Sequence, residues 1–143
     1  MYAYGNKKAE GKQMIDCMII GDSIGVGVSH IRKDCISTAV GGINSWQANQ
    51  YNSNKKINAR TVIISLGSND HKGVKTEAEL RKLRANTIAD RVYWILPAIK
   101  PEIQEIVRII AADWKDIVLP ISETSDKVHP TMKSYKEIGA NAK

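Results

Sequence analysis

No stretch of this chain is apolar for long enough to cross a bilayer. The runs at 18–20 and 61–66 fall far short of the roughly 20 residues that a spanning helix needs, so no transmembrane segment is expected. Cysteine is scarce: Cys17 and Cys35 are the only two, without Cys-x-x-Cys spacing, which argues against a zinc cage and against a disulfide framework. The expectation is a pair of buried free thiols. No Gly-Lys-Ser or Gly-Lys-Thr is present for a phosphate loop, and in Gly25-x-Gly27 the position of a third glycine falls on His30. Paired histidine spacing is missing too, so a metal held by His30, His71, Asp70, Asp126 and His129 is not expected. The chain has no phenylalanine, an absence for which we have no physical account. Residues 1–13 are polar and basic with no apolar core, do not read as a signal peptide, and are taken as an extension ahead of one domain at 14–143, with the cytoplasm as the default location.

What is present is the composition of an ordinary globule, with 143 residues, 43% hydrophobic and 25% charged. The net charge of +6 is spread along the chain. Its densest group, Lys72, Lys75, Arg81, Lys82 and Arg84, is expected to form a solvated helix face, so no nucleic-acid partner is expected.

Apolar runs alternate with helical patterns from end to end, which implies a parallel sheet covered by helices on both faces. Strands are expected at 14–20, 36–40, 61–66, 91–96 and 116–119, most of them stopped by glycine or proline. Helices fill the gaps. They are expected at 23–32, at 46–51, from a Thr76/Glu79 capping box through Leu80, Leu83, Thr87 and Ile88, and at 131–140. Another opens at Pro101, with Ile103, Ile106, Val107, Ile110, Ala111 and Trp114 forming one apolar stripe.

In such a sheet, ligands sit at the carboxyl ends of the strands, and the chemistry-bearing residues fall there. Ser23 follows the first strand, Gly42 the second, Asn69 the third, and Asp126 with His129 the fifth. A serine hydroxyl becomes a nucleophile when an imidazole takes its proton, and a carboxylate on the other ring nitrogen holds the imidazole in the working tautomer. Ser23, His129 and Asp126 are those three parts. Each also has a plainer role available: Ser23 as a helix cap, Asn69 and Asp70 as turn residues, His129 as a loop residue before Pro130. Asp22 is read as structural, accepting backbone N–H groups in its turn.

Gly21-Asp22-Ser23, the pair Gly41-Gly42, Gly67-Ser68-Asn69-Asp70 and Asp126-Lys127-Val128-His129-Pro130, in this order, resemble the four blocks of the SGNH hydrolases, also called the GDSL family. Ile24 stands where leucine often follows in that family, a volume-conserving change. The resemblance covers nearly the whole chain. It implies a three-layer α/β/α, flavodoxin-like domain with five parallel strands and hydrolysis of ester or thioester bonds without a cofactor or metal. It also implies that Ser23 is the nucleophile, His129 the base and then acid, and Asp126 its orienting group. The oxyanion hole would take the backbone N–H groups of Ser23 and Gly42 and the side-chain amide of Asn69. Gly41 is the alternative to Gly42, since spacing alone does not separate them. His30 and His71 are read as partly exposed, His71 on the rim of that site. Short loops between blocks lead us to expect short-chain acyl esters, including O-acetyl groups on carbohydrate, with a lipase or thioesterase as runner-up. Such compact domains resemble those of bacteria and their phages.

Two rivals share some of these residues. Gly21-Asp22-Ser23-Ile24-Gly25 also fits the nucleophile elbow of α/β-hydrolases, but there several strands precede the serine. A carbohydrate- or nucleotide-binding module without catalysis would need neither the aspartate nor the histidine.

Overall fold

The computed structural model describes residues 15–52 and 55–143. Strand β1 (Ile15–Gly21) leads to helix α1 (Ser23–Ile31), then β2 (Ile36–Ser37), α2 (Ser45–Tyr51), β3 (Ile57–Ser65), α3 (Thr76–Ala85), β4 (Thr87–Ile95), α4 (Pro101–Trp114), β5 (Ile117–Leu119) and α5 (Met132–Asn141). The five described strands pair in parallel, in the order β2-β1-β3-β4-β5. This is the flavodoxin-like order, in which the chain reverses direction across the sheet between β1 and β3.

The central strands carry apolar residues at consecutive positions because both faces are covered. Alternation then divides them. Ile20, Val62, Ile64, Val92 and Trp94 join Leu80, Leu83, Val107 and Ile110 in one core beneath α2, α3 and α4. Cys17, Ile19, Ile63, Tyr93 and Ile95 join Ile24, Val28 and Ile138 beneath α1 and α5. Each fully buried side chain of this size contributes roughly 1.5–3 kcal/mol from area removed from water.

The differences from expectation have local causes. The first expected strand begins at residue 14, outside the described residues, and the 1–13 extension lies there too. The second strand is two residues long, not five. It lies at the sheet edge, and Thr38 N and Val40 N still donate to Ile19 O (2.9 Å) and Gly21 O (2.8 Å) without regular strand geometry. Thr87 and Ile88 belong to β4, not to α3: the helix ends at Ala85, and Thr87 pairs with Ile57. The Thr76/Glu79 capping box does not form, because Thr76 Oγ1 donates to Asp70 and Glu79 Oε1 accepts from Asn49 Nδ2. A capping box exists instead at Asn44 and Gln47, opening α2. Thr131 is the cap of α5, not its first residue.

Arg84 does not belong to a solvated face. It is buried, forming a two-pronged pair with Asp116 (2.7 and 3.0 Å), donating to Thr87 O and stacking on Trp114, which is half exposed where a core residue was expected. Asp116 also accepts from Trp94 Nε1, so the buried charges are matched on several sides.

Cys17 and Cys35 are not free thiols. They form a disulfide with Cα atoms 4.5 Å apart. The pairing of Met18 with Ile36 places the preceding residues side by side, so two cysteines that look unrelated in sequence become cross-strand neighbours. The bond ties β1, which leads to Ser23, to the segment leading to Gly41 and Gly42. Replacing both cysteines with serine is expected to lower the unfolding free energy by about 3 kcal/mol, the value for a closed loop of this length. Urea denaturation measures this directly, and coincident curves for the two proteins would show that the crosslink adds nothing.

Candidate active site

β1 ends at Gly21, whose backbone lies so close to β3 that a side chain there would collide with the carbonyl of Ser65. Asp22 N donates to that carbonyl at 2.9 Å. Asp22 also caps α1, accepting from Ile24 N at 3.0 Å, so the capping role open to Ser23 is already filled. Ser23 begins the helix with its hydroxyl uncommitted to the backbone, and Ser23 Oγ lies 2.9 Å from His129 Nε2.

His129 sits in the connection between β5 and α5. The hairpin-like loop is closed by Ser125 N donating to His129 O (2.9 Å) and Thr131 N to Glu123 O (3.1 Å). Asp126 organises its tip. Its Oδ1 accepts from Val128 N (3.1 Å) and His129 N (2.7 Å), while Oδ2 lies 2.8 Å from His129 Nδ1. Lys127 takes a left-handed φ of 74° to make this turn. The His129 backbone N–H, then its ring and the Val128 N–H, hold the Asp126 carboxyl down to about 2. An ionised Asp126 can only accept, so the proton on His129 stands at Nδ1. In the neutral ring Nε2 is then left as an acceptor facing Ser23.

The other expected residues come to the same edge. The bond from Val40 N to Gly21 O draws the glycine pair alongside: a Cβ built on Gly41 would lie 4.0 Å from Ser23 Cβ, and Gly42 takes φ +79°. Asn69 is exposed on the turn after β3, and one hydrogen of its amide goes to Ile43 O at 2.9 Å, leaving the second for another acceptor. His71 is exposed, accepts from Gly73 N, and shares a depression of about 380 Å³ with Asn44 and Trp46. His30 is exposed in the last turn of α1. Among the described residues, the only grouping of His, Cys, Asp and Glu at ligand spacing is Cys17, Asp34 and Cys35, whose sulfurs are bonded to each other.

Sequence reasoning missed Asp70. It looks like a turn residue but is buried, and its carboxylate accepts from Ser45 N (2.8 Å), Ser45 Oγ (2.7 Å) and Thr76 Oγ1 (2.8 Å). It therefore joins the starts of α2 and α3 to the turn that carries Asn69. Lys100, in a left-handed conformation before α4, ties the same turn down by donating to Ser68 O (2.9 Å) and Asp70 O (2.7 Å). No local pattern announces either role, because the partners come from distant segments.

No family model matches the chain, and no curated protein does. Solved structures do. A GDSL-like lipase from Bacteroides thetaiotaomicron is similar with a TM-score of 0.68 at 20% identity, over 96% of this chain and 92% of that one. A lipase/acylhydrolase from Enterococcus faecalis has a TM-score of 0.62 at 14% identity, covering 89% and 92%. The C-terminal catalytic domain of peptidoglycan O-acetyltransferase A from Streptococcus pneumoniae, with a methylsulfonyl adduct, has a TM-score of 0.59 at 18% identity, covering 92% and 93%. At these identities the likeness establishes a common fold.

Asp22 adds a property of its own. Burial raises its carboxyl from 3.8 to about 6, against the opposing bonds from Ser65 Oγ and the Ile24 N–H, and Oδ2 is buried with no partner among the described residues. The folded state thus favours the neutral acid. That contribution to stability is complete below the unfolded value of 3.8 and is lost as pH rises through about 6. Asp22→Asn, which retains an acceptor for the cap, is expected to flatten the melting temperature between about pH 4 and pH 7. Parallel profiles for the two proteins would show that another group titrates.

Proposed function

We propose that the protein is an SGNH hydrolase that cleaves carboxylic esters through an acyl-serine intermediate. The observation that carries this reading is the continuous line from Ser23 Oγ to His129 Nε2 (2.9 Å) and from His129 Nδ1 to Asp126 Oδ2 (2.8 Å), assembled across 106 residues of sequence at the carboxyl edge of the sheet. The fold shared with lipases and acylhydrolases supports it.

Ser23 Oγ attacks the ester carbonyl carbon as its proton passes to His129 Nε2. Asp126 stabilises the resulting imidazolium and fixes its orientation. The tetrahedral oxyanion takes hydrogen bonds from the backbone N–H groups of Ser23 and Gly42 and from the free amide hydrogen of Asn69, each worth roughly 3 kcal/mol of barrier. Collapse breaks the bond to the alcohol, which leaves with the proton held by His129. Water then adds to the acyl carbon, giving its proton to His129, and the acid departs as Ser23 recovers its hydrogen. An alcohol in place of water would give acyl transfer by the same steps, and the S. pneumoniae neighbour is an O-acetyltransferase.

Ser23 is half-buried at the start of α1 and the His129 side chain is 41% exposed in the 120–131 connection, an accessible arrangement that favours short acyl groups, O-acetyl on carbohydrate among them, over the long chains of a lipase or the thioesters of a thioesterase. The disulfide suits an oxidising compartment better than the cytoplasm expected by default.

Ser23→Ala and His129→Ala are each expected to abolish hydrolysis of a nitrophenyl acetate with no loss of folded structure. Full activity in the serine variant would overturn the reading. Asn69→Ala should lower turnover on the order of a hundredfold, and an unchanged rate would remove its amide from the oxyanion hole.

A further inference from the structure

Helix α2 has an outer face that neither the core nor the catalytic line explains. Trp46 and Tyr51 leave it 51% and 62% exposed, although large aromatic side chains gain much from burial. With Gln50, one helical turn beyond Trp46, they wall a depression of about 400 Å³. Two further depressions adjoin it. Trp46 is shared with the one lined by Asn44, two residues after Gly42, and Gln50 is shared with one of about 270 Å³ on which Lys55, Lys56 and Lys82 converge. Among the described residues none of these three lysines is paired with a carboxylate. Glu79 stands at the depression lined by Asn44, with its Oε1 accepting from Asn49 Nδ2 at 2.7 Å. The surface therefore runs from the loop beside Ser23, over aromatic faces and amides, to a cluster of positive charge.

We propose that this face of α2 is a subsite for an anionic polysaccharide, laying the chain along the helix so that an ester on it reaches Ser23. A sugar ring offers a C–H face that stacks on indole or phenol and hydroxyl edges that bond to amides, while carboxylate or phosphate groups along the polymer meet the lysines. The helix is about 10 Å long, so the aromatic and basic parts contact successive stretches of one extended chain rather than a single small ligand. The identity of the cleaved bond rests on the hydrolase reading above, whereas binding does not.

The Ser23→Ala protein, which should not turn the polymer over, allows binding to be read alone. Its affinity is measured by calorimetry for polygalacturonate, for a phosphomannan and for neutral hydroxyethyl cellulose, with duplex DNA as a polyanion without pyranose rings. Tighter binding of at least one of the two anionic polymers than of the neutral one is expected, and which of the two binds identifies the source of the charge. Adding Trp46→Ala should weaken that binding by about tenfold, and Trp46→Tyr should restore most of it. Replacing Lys55, Lys56 and Lys82 together with alanine should remove most of its salt dependence. Melting curves establish that each variant is folded. The subsite is overturned if neither anionic polymer binds, if the neutral polymer binds equally well, or if Trp46→Ala leaves binding unchanged. DNA binding of equal strength and equal indifference to Trp46 would also overturn it. Any of these can occur while Ser23→Ala still abolishes ester hydrolysis, so the two readings fail separately.

Discussion

The close contact between the end of β1 and the end of β3 is the constraint from which the site is built. Gly21 pairs with Ser65 in the sheet register and has no side chain to hold the strands apart, so Asp22 N can reach Ser65 O while Ser65 Oγ reaches back to Asp22 Oδ1. Asp22 is thereby set as the cap of α1, and Ser23 follows it at the first helical position with its hydroxyl free. The cost is a carboxylate half-satisfied and out of water, whose proton affinity rises as burial dictates. A polar group kept under this tension beside the proposed nucleophile is the kind of local compromise that a functional edge tolerates and a purely structural turn does not need.

A second set of polar contacts fixes the turn facing that strand. The Asp70 carboxylate holds the first residue of α2 and the first of α3, and Lys100 anchors the backbone of the same turn from α4. Asn69 Nδ2 in turn holds Ile43, the residue after the glycine pair. The two segments expected to supply oxyanion donors are thus bonded to each other, not merely placed near one another. Preorganisation of this sort is what lets neutral donors stabilise developing charge without reorganising.

Much of this was legible in the sequence where the signal is local or periodic. The strands around 61–66 and 91–96, the stripe on α4 as far as Ala111 and the positions of Ser23, Asn69, Asp126 and His129 after their strands all follow from burial pattern and turn chemistry. The errors cluster where an outcome depends on a distant partner. Arg84 sits among exposed cations in sequence, yet Asp116 draws it inside. Thr76 and Glu79 have the spacing of a capping box, yet both side chains find partners outside the helix, Asp70 and Asn49. Thr87 and Ile88 continue a helical stripe on paper, but pairing of Thr87 with Ile57 ends the helix and starts a strand.

The sequence by itself determined the alternation of strands and helices, because hydrophobic periodicity is a property of neighbouring residues, and it determined which residue types stand at strand ends. Only the tertiary structure decided that Cys17 meets Cys35, that Asp70 is a buried hub, and that Ser23 Oγ stands 2.9 Å from a ring nitrogen 106 residues away. Those facts depend on strand order and register. They are set by how two apolar faces are covered at once, a condition that the whole chain satisfies and no short segment of it encodes.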